Sequence, residues 1–110
     1  QGLSVLSQPS DSHLESSHYC LGAILDNELV TKRPEIINSL SERGVGSSVY
    51  YPQPVPRMKY YQEKYGYDKT QYPVAAQISD GIVALPVGPH LSLDDMQIIA
   101  SELKQCMEKI

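Results

Sequence analysis

The residues best suited to chemistry in this 110-residue chain are its tyrosines, which gather in one stretch. The chain has neither Phe nor Trp, and seven of its eight tyrosines lie between residues 50 and 72: Tyr50, Tyr51, Tyr60, Tyr61, Tyr65, Tyr67 and Tyr72. A tyrosine combines a flat apolar ring with a polar tip, so such a cluster can pack and form hydrogen bonds at once. The stretch predicts a contact surface, either for a ligand or for another piece of protein.

The other side chains that commonly carry catalysis are dispersed along the chain. His13, His18 and His90 have no metal-ligand spacing with a cysteine or a carboxylate, and we interpret them as structural or surface residues. No serine stands in a Gly-x-Ser-x-Gly turn. Gly44-x-Gly46 follows a predicted helix and precedes a predicted strand, the reverse of the order in a phosphate-binding loop. The sequence therefore predicts no catalytic residue, metal site or cofactor site within this chain.

Composition limits the partners and the location. With 41% hydrophobic and 20% charged residues, the chain is typical of a soluble globular domain. Its net charge of −4 and lack of a basic stripe argue against nucleic acid or an anionic membrane as a partner. No apolar run approaches the roughly 20 residues of a membrane helix. Cys20 and Cys106 are predicted to be buried and reduced, which makes the cytoplasm the expected location.

The elements that would position the tyrosines are predicted from apolar periodicity. Residues 1–17 are rich in polar residues and are interpreted as a linker, and the apolar run at 18–25 predicts a buried strand. A helix is predicted over 31–43, with Thr31 as its N-cap and Gly44 as the left-handed residue beyond its end. Residues 45–51 alternate and contain Val and Tyr, which predicts a second strand.

The second half of the chain predicts two short helices, a strand and a long helix. The short helices are expected near 56–64 and 73–80, and the strand at 82–86. The spacing of Ser92 and Asp95 resembles a capping box, with Asp in place of the more usual Glu, and predicts the start of the last helix. The apolar stripe of that helix comprises Met96, Ile99, Ala100, Leu103, Cys106, Met107 and Ile110. The predicted fold is α+β, with a three-stranded, mainly antiparallel sheet and helices packed on one face.

The order of these motifs resembles the C-terminal small domain of the DegT/StrS sugar aminotransferases, which are pyridoxal-phosphate (PLP) enzymes of the aspartate-aminotransferase fold. The resemblance runs from Leu6 to Ile110. Its motifs are His18-Tyr19, Arg33, Gly44-Val45-Gly46-Ser47-Ser48-Val49, Tyr51-Pro52-x-Pro54, Tyr61, Gly66-Tyr67, Tyr72-Pro73-Val74-Ala75, Leu85-Pro86, and Leu91 with Asp94-Asp95. It implies that residues 1–17 lead in from a missing large domain and that residues 18–110 form the small domain.

The resemblance also implies an activity for the complete enzyme. That enzyme would use PLP to transfer an amino group to a nucleotide-linked keto sugar, as a homodimer with a role in cell-envelope polysaccharide synthesis. The missing large domain would supply the Schiff-base lysine, because no lysine of this chain matches the family's position: Lys32, Lys59, Lys64, Lys69, Lys104 and Lys109. The chain alone is therefore expected to be inactive and to bind no PLP.

Four residues are implied on the substrate side of the site, namely Tyr50, Tyr51, Pro54 and Arg33. Family members commonly carry histidine where Tyr50 and Pro56 stand, so contacts through those histidines are not expected here. Packing between domains is an equal alternative for the tyrosines. For the chain as a whole, the alternative is a stand-alone, non-catalytic α+β binding or interaction module.

Overall fold

The computed structural model describes residues 2–7, 10 and 13–110. In this part of the chain, three strands form one antiparallel sheet: β1 (Leu3–Val5), β2 (Leu21–Leu25) and β3 (Ile82–Leu85). β2 lies in the centre, and Ala23 pairs with Val5 on one side and with Val83 on the other. The predicted α+β class and the antiparallel sheet are confirmed.

Four α-helices occur in the described residues: α1 (Arg33–Glu42), α2 (Lys59–Tyr65), α3 (Pro73–Gly81) and α4 (Leu93–Glu108). Short 3₁₀ turns occupy Asn27–Val30 and Val55–Arg57. Each predicted helix is present, with ends that differ by a few residues. No helix within the described ranges is both long and apolar enough to cross a bilayer.

The core lies between one face of the sheet and the pair of helices α1 and α4. Because side chains alternate along a strand, Ala23, Leu25 and Val83 share a face. The buried cluster comprises Leu25, Ile36, Leu40, Val45, Val83, Ile99, Leu103 and Cys106. The prediction that helices pack on one face is confirmed. On α4, however, Ala100 and Ile110 are exposed rather than part of the core.

Helix α1 ends in a Schellman motif. Gly44 has a φ of +79°, its N–H donates to the carbonyl of Ser41 at 3.0 Å, and the N–H of Val45 donates to that of Leu40 at 2.9 Å. Val45 then enters the core. The left-handed Gly44 was predicted correctly. Thr31 is not the N-cap, since the helix begins at Arg33 and the Thr31 hydroxyl donates to the carbonyl of Glu28 at 2.8 Å.

The predicted strand at 45–51 is wrong. Only Ser48 pairs with the sheet, in an isolated bridge to Ala84 at the outer edge of β3. The N–H of Ser48 donates to Ala84 at 3.0 Å, and the N–H of Ala84 donates back at 2.7 Å. The preference of Val and Tyr for strands reflects packing on a half-buried pleated surface, which Gly46 and the exposed Tyr50 do not meet. The segment is an extended strap rather than a strand.

The third strand lies in a segment that was interpreted as a linker. Leu3–Val5 pairs with β2, and a strand of three residues is too short to show a periodicity in the sequence. The predicted strand at 18–25 is shorter than expected, because residues 18–20 are exposed and His18 has a φ of +50°. Cys20 is therefore exposed and its predicted burial is wrong, whereas Cys106 is buried as predicted.

Candidate functional site

The loop from Tyr50 to Arg57 carries three of the four predicted site residues. Tyr50 is 45% exposed and Tyr51 is 68% exposed, and their ring centroids lie 5.7 Å apart. Pro54 precedes the 3₁₀ turn at Val55–Arg57 and is partly buried. Its fixed backbone keeps the chain extended before the turn. The loop thus presents two adjacent aromatic rings on the surface.

Two side chains of α3 hold this loop in place. The Ser79 hydroxyl donates to the Tyr51 carbonyl at 2.6 Å, and Ser79 is 5% exposed. The guanidinium of Arg57 donates through Nη1 to both carboxylate oxygens of Asp80, at 2.8 and 3.0 Å. A hydrogen bond between charged groups is stronger than one between neutral groups, which favours the Arg57–Asp80 pair. The Ser79 contact therefore fixes the start of the loop, and the Arg57–Asp80 pair fixes its end.

Arg33, the fourth predicted site residue, reaches the same anchor from α1. Its Nη1 donates to the carbonyl of Ser79 at 2.6 Å and to that of Ile82 at 3.4 Å. These carbonyls lie at the end of α3 and the start of β3, where a helix leaves acceptors without partners. Arg33 and Tyr51 therefore both contact Ser79. The Arg33 guanidinium donates to the Ser79 carbonyl, and the Ser79 hydroxyl donates to the Tyr51 carbonyl.

Residues that were not predicted as site residues complete the surroundings of the loop. The Ser48–Ala84 bridge joins this segment to β3, and Ser47, Tyr50, Tyr19 and Cys20 are among the residues that line a depression of about 420 Å³. Ser79 and Asp80 gave no sequence signal, because a serine and an aspartate in a short helix are common. Ser47 was quoted only as part of a family motif.

The remaining tyrosines pack on one another beyond the loop. Ring centroids are 5.1 Å apart for Tyr60 and Tyr61, 6.2 Å for Tyr61 and Tyr65, and 5.7 Å for both Tyr65–Tyr67 and Tyr67–Tyr72. Such pairs contribute about 0.5–1.5 kcal/mol each beyond their buried area. This chain of rings supports α2 and the segment leading to α3.

The shifted pKa values belong to groups outside the loop. Hydrogen bonds from the Ser92 backbone and hydroxyl lower the pKa of Asp95, and those from the Thr70 hydroxyl and backbone lower that of Asp68. Arg43 pairs with Glu102, and that hydrogen bond raises the pKa of the guanidinium. These groups cap helices and turns or join α1 to α4. Among the described residues, no three His, Cys, Asp or Glu side chains group as metal ligands do.

Comparison with known proteins gives one consistent result. A sequence model of the DegT/DnrJ/EryC1/StrS aminotransferase family matches residues 1–104. The erythromycin biosynthesis sensory transduction protein EryC1 of Saccharopolyspora erythraea is 31% identical over 72 residues, which are 66% of this chain and 19% of EryC1.

Solved structures show the same likeness. Spr1654 of Streptococcus pneumoniae, assigned as a sugar aminotransferase, superimposes with a TM-score of 0.82 at 27% identity, over 98% of this chain and 26% of its own. Helicobacter pylori PseC, an aminotransferase involved in the biosynthesis of pseudoaminic acid, gives a TM-score of 0.74 at 23% identity, over 86% of this chain and 25% of its own, a likeness of fold. The chain spans about a fifth of the curated relatives and about a quarter of these structures.

Proposed function

The chain belongs to the DegT/DnrJ/EryC1/StrS aminotransferase family, and we propose that it is the C-terminal small domain of a PLP-dependent enzyme that aminates a nucleotide-linked keto sugar. The observation that carries this proposal is the superposition on one quarter of Spr1654 across nearly the whole chain. Spr1654 has been solved in both PLP and PMP forms, the two cofactor states that amino transfer interconverts. This chain, which superimposes on about a quarter of Spr1654, would therefore form one domain of such an enzyme.

The described residues do not fit a self-sufficient PLP site. All six lysines are solvent-exposed, and Lys32, Lys59 and Lys104 each lie beside a glutamate on the same helix or at its start. A Schiff-base lysine is activated by desolvation in a pocket or by a neighbouring cation. Lys32, Lys59 and Lys104 are instead exposed to solvent and lie beside carboxylates, which stabilise the protonated amine. PLP, which supplies the electron sink in amino transfer, would accordingly be held by the large domain.

Within the complete enzyme, the loop from Tyr50 to Arg57 would face the substrate. Tyr50, Tyr51 and Pro54 are the proposed substrate-side residues, because both rings are exposed while the loop backbone is fixed. Arg33 would act by positioning, since its guanidinium holds the Ser79 carbonyl rather than pointing to an open site. A preorganised loop loses little conformational entropy when it binds.

A domain exchange in Spr1654 tests this function. The quarter of Spr1654 on which this chain superimposes is replaced by this chain, and absorbance follows the interconversion of the PLP and PMP forms with an amino donor. We expect the chimera to interconvert the PLP and PMP forms, and we expect no change in absorbance with the 110-residue chain alone. The matched control is the Spr1654 large domain without either small domain, which should be inactive. A stoichiometric PLP adduct on one lysine of the isolated chain, fixed by borohydride, would overturn the proposal.

We further propose that the complete enzyme is a cytoplasmic homodimer and that this domain has an apolar face covered in that assembly. A groove of about 440 Å³ between the sheet and α4 is lined mostly by apolar residues, among them the exposed Val5, together with Lys104 and Glu108. Exposed apolar patches of this kind favour association. Light scattering of the isolated chain at about 100 μM, where a micromolar dimer is populated, should give twice the monomer mass. A monomer mass at this concentration would contradict the proposal that the apolar groove is covered in a dimer.

A further inference from the structure

The two edges of the sheet differ in the hydrogen bonds that the described part of the chain makes to them. Along β3, Ser48 and Ala84 exchange backbone hydrogen bonds at 3.0 and 2.7 Å, so the extended strap occupies that edge. The opposite edge is formed by β1, the strand Leu3–Val5. An edge strand without a partner presents a row of backbone donors and acceptors with which another strand can pair.

The pairing with β2 shows which residues of β1 face outward. The N–H of Leu6 donates to the carbonyl of Gly22 at 3.1 Å, which directs the backbone groups of the even-numbered residues toward β2. Because this direction alternates along an antiparallel strand, the N–H and C=O groups of Leu3 and Val5 point away from β2. Among the described residues, these outward groups have no hydrogen-bond partner. We call them the β1 edge.

The side chains of Leu3 and Val5 line the apolar groove beside α4. Both residues pair with β2 residues of the helix-covered face, yet Val5 is 50% exposed, so α1 and α4 leave the β1 side of that face open. Proteins commonly protect such an edge with a charged residue or a proline, and Leu3–Val5 contains neither. A strand that pairs with the β1 edge would therefore also place its side chains beside the groove.

The β1 edge is complementary to itself. In an antiparallel register centred on Ser4, Leu3 of each copy lies opposite the partner's Val5, and their outward N–H and C=O groups exchange hydrogen bonds. The same register makes Leu3 and the partner's Val5 a cross-strand apolar pair on the groove side. A two-fold axis at Ser4 closes the contact, so the association stops at a dimer.

The charges of the groove also favour a second copy over a partner of one charge sign. Lys104 and Glu108 are the charged residues that line it, and their side chains lie 3.8 Å apart. A surface with one charge of each sign neither repels a copy of itself nor selects a strongly acidic or basic partner. Backbone, apolar side chains and charges of this surface thus fit the same occupant.

We infer that the β1 edge binds the β1 edge of a second copy of this chain, which joins the two sheets into one continuous sheet and covers the open side of each apolar groove. This inference rests on the dimer that accompanies the proposed function and deepens it, because it names the residues that meet at the two-fold axis: Leu3, Ser4 and Val5.

Disulfide trapping of the 110-residue chain tests this register. Directly opposed residues that do not exchange hydrogen bonds have Cα atoms about 4.5 Å apart, within the range of about 4.4–6.8 Å that a disulfide spans. Ser4→Cys should therefore form a disulfide-linked dimer under mild oxidation. The exposed Cys20 is replaced by serine in all chains, and the fully buried Cys106 is retained.

Ser7→Cys is the matched control for the trapping experiment. Ser7 is also exposed, and it lies three residues beyond Ser4. In the inferred register the Cα atoms of the two Ser7 residues would be roughly 20 Å apart, at about 3.3 Å per residue. Ser7→Cys should therefore cross-link slowly. Equal rates of cross-linking for Ser4→Cys and Ser7→Cys would overturn the inference.

Hydrogen exchange in the wild-type chain tests the backbone contacts without a substitution. The chain is labelled above and below the dimer Kd that light scattering gives. The amides of Leu3 and Val5 should exchange more slowly in the dimer, and the amide of Ser4, which faces β2, should change less. If the Leu3 and Val5 amides exchange as fast in the dimer as in the monomer, the two copies meet elsewhere.

Two variants of Val5 block the β1 edge in different ways. Val5→Pro removes an outward donor and keeps the hydrogen bonds from β1 to β2, which use the neighbouring residues. It should weaken the dimer by roughly 5- to 150-fold, the range for one net hydrogen bond lost from each copy. Val5→Lys places a charge on the edge and should also give a monomer at about 100 μM.

Val74→Lys is the control for the charge, since Val74 is exposed on α3, and it should dimerise as the wild type does. An unchanged dimer Kd in folded Val5→Pro and Val5→Lys chains, as judged by circular dichroism, would contradict the inferred interface.

The Spr1654 chimera separates this inference from the proposed function. An active chimera in which Ser4→Cys adds no cross-link rejects the inference alone, and would show that the large domain covers the β1 edge. An inactive chimera in which Ser4→Cys still cross-links rejects the proposed function alone. A wild-type 110-residue chain that stays monomeric at about 100 μM rejects this interface and the proposed dimer together.

Discussion

The helix-covered face of the sheet and the loop from Tyr50 to Arg57 are stabilised by different kinds of contact. The first is apolar, and Leu25, Val83 and Leu103 are almost completely buried between the strands, α1 and α4. The second is held by polar contacts from Ser79 and Asp80, while its tyrosine rings stay exposed. Core packing is sensitive to small changes in volume, whereas exposed side chains on a fixed backbone are not. Stability and candidate binding therefore reside in separate regions.

The largest effect is expected from a charge in the helix-covered face. Leu103→Asp would bury an unpaired carboxylate, at a cost of several kcal/mol, comparable to the stability of a small domain. The chain should lose its cooperative thermal transition in circular dichroism. Ser101→Asp, exposed on the same helix, is the control and should melt as the wild type does. A wild-type Tm for Leu103→Asp would show that this face is not the core.

A smaller and local effect is expected from the loop anchor. Ser79→Ala removes the hydrogen bond to the Tyr51 carbonyl and should lower the free energy of unfolding by about 1 kcal/mol. Amide hydrogen exchange should accelerate in residues 50–57 and stay unchanged in α1 and α4. Gln77→Ala, at an exposed position of α3, is the matched control. Equal acceleration throughout the chain would show that the two regions are not separable.

At the start of α4, the capping box should give a small, pH-dependent effect. Hydrogen bonds from Ser92 lower the folded-state pKa of Asp95, so its contribution is complete above the unfolded value of about 3.9 and is lost as pH falls through the folded value. Asp95→Asn should lower the Tm at pH 7, and the difference from wild type should shrink toward pH 2. Asp94→Asn is the control; the same pH dependence there would point to general helix-dipole effects.

The smallest effect on stability is expected in the loop itself. Tyr51→Ala removes a ring that is mostly exposed. The free energy of unfolding, measured by urea denaturation, should therefore change by no more than about 0.5 kcal/mol. In the Spr1654 chimera the same change should raise the KM for the keto sugar. If the free energy of unfolding falls by more than about 1.5 kcal/mol and the KM is unchanged, the Tyr51 ring packs against the protein rather than binding the sugar.

The reliability of the sequence predictions follows the same division. Helix α4 was predicted from the Ser92–Asp95 cap and its apolar spacing, because both signals are local. The strand at 45–51 was wrong, since strand preference depends on what lies beside the segment. The Ser79–Tyr51 and Arg57–Asp80 contacts join residues 28 and 23 positions apart, and no local pattern encodes them.

The contact between Ser79 and Tyr51 has a consequence for how such a site can diversify. Ser79 binds the backbone carbonyl of residue 51, so the anchor is indifferent to the side chain there. The rings at positions 50 and 51 can be exchanged for other side chains while Ser79, Asp80 and Arg57 keep the loop in place. In the proposed enzyme, substrate preference could therefore change through positions 50 and 51 without any change in the contacts that hold the loop.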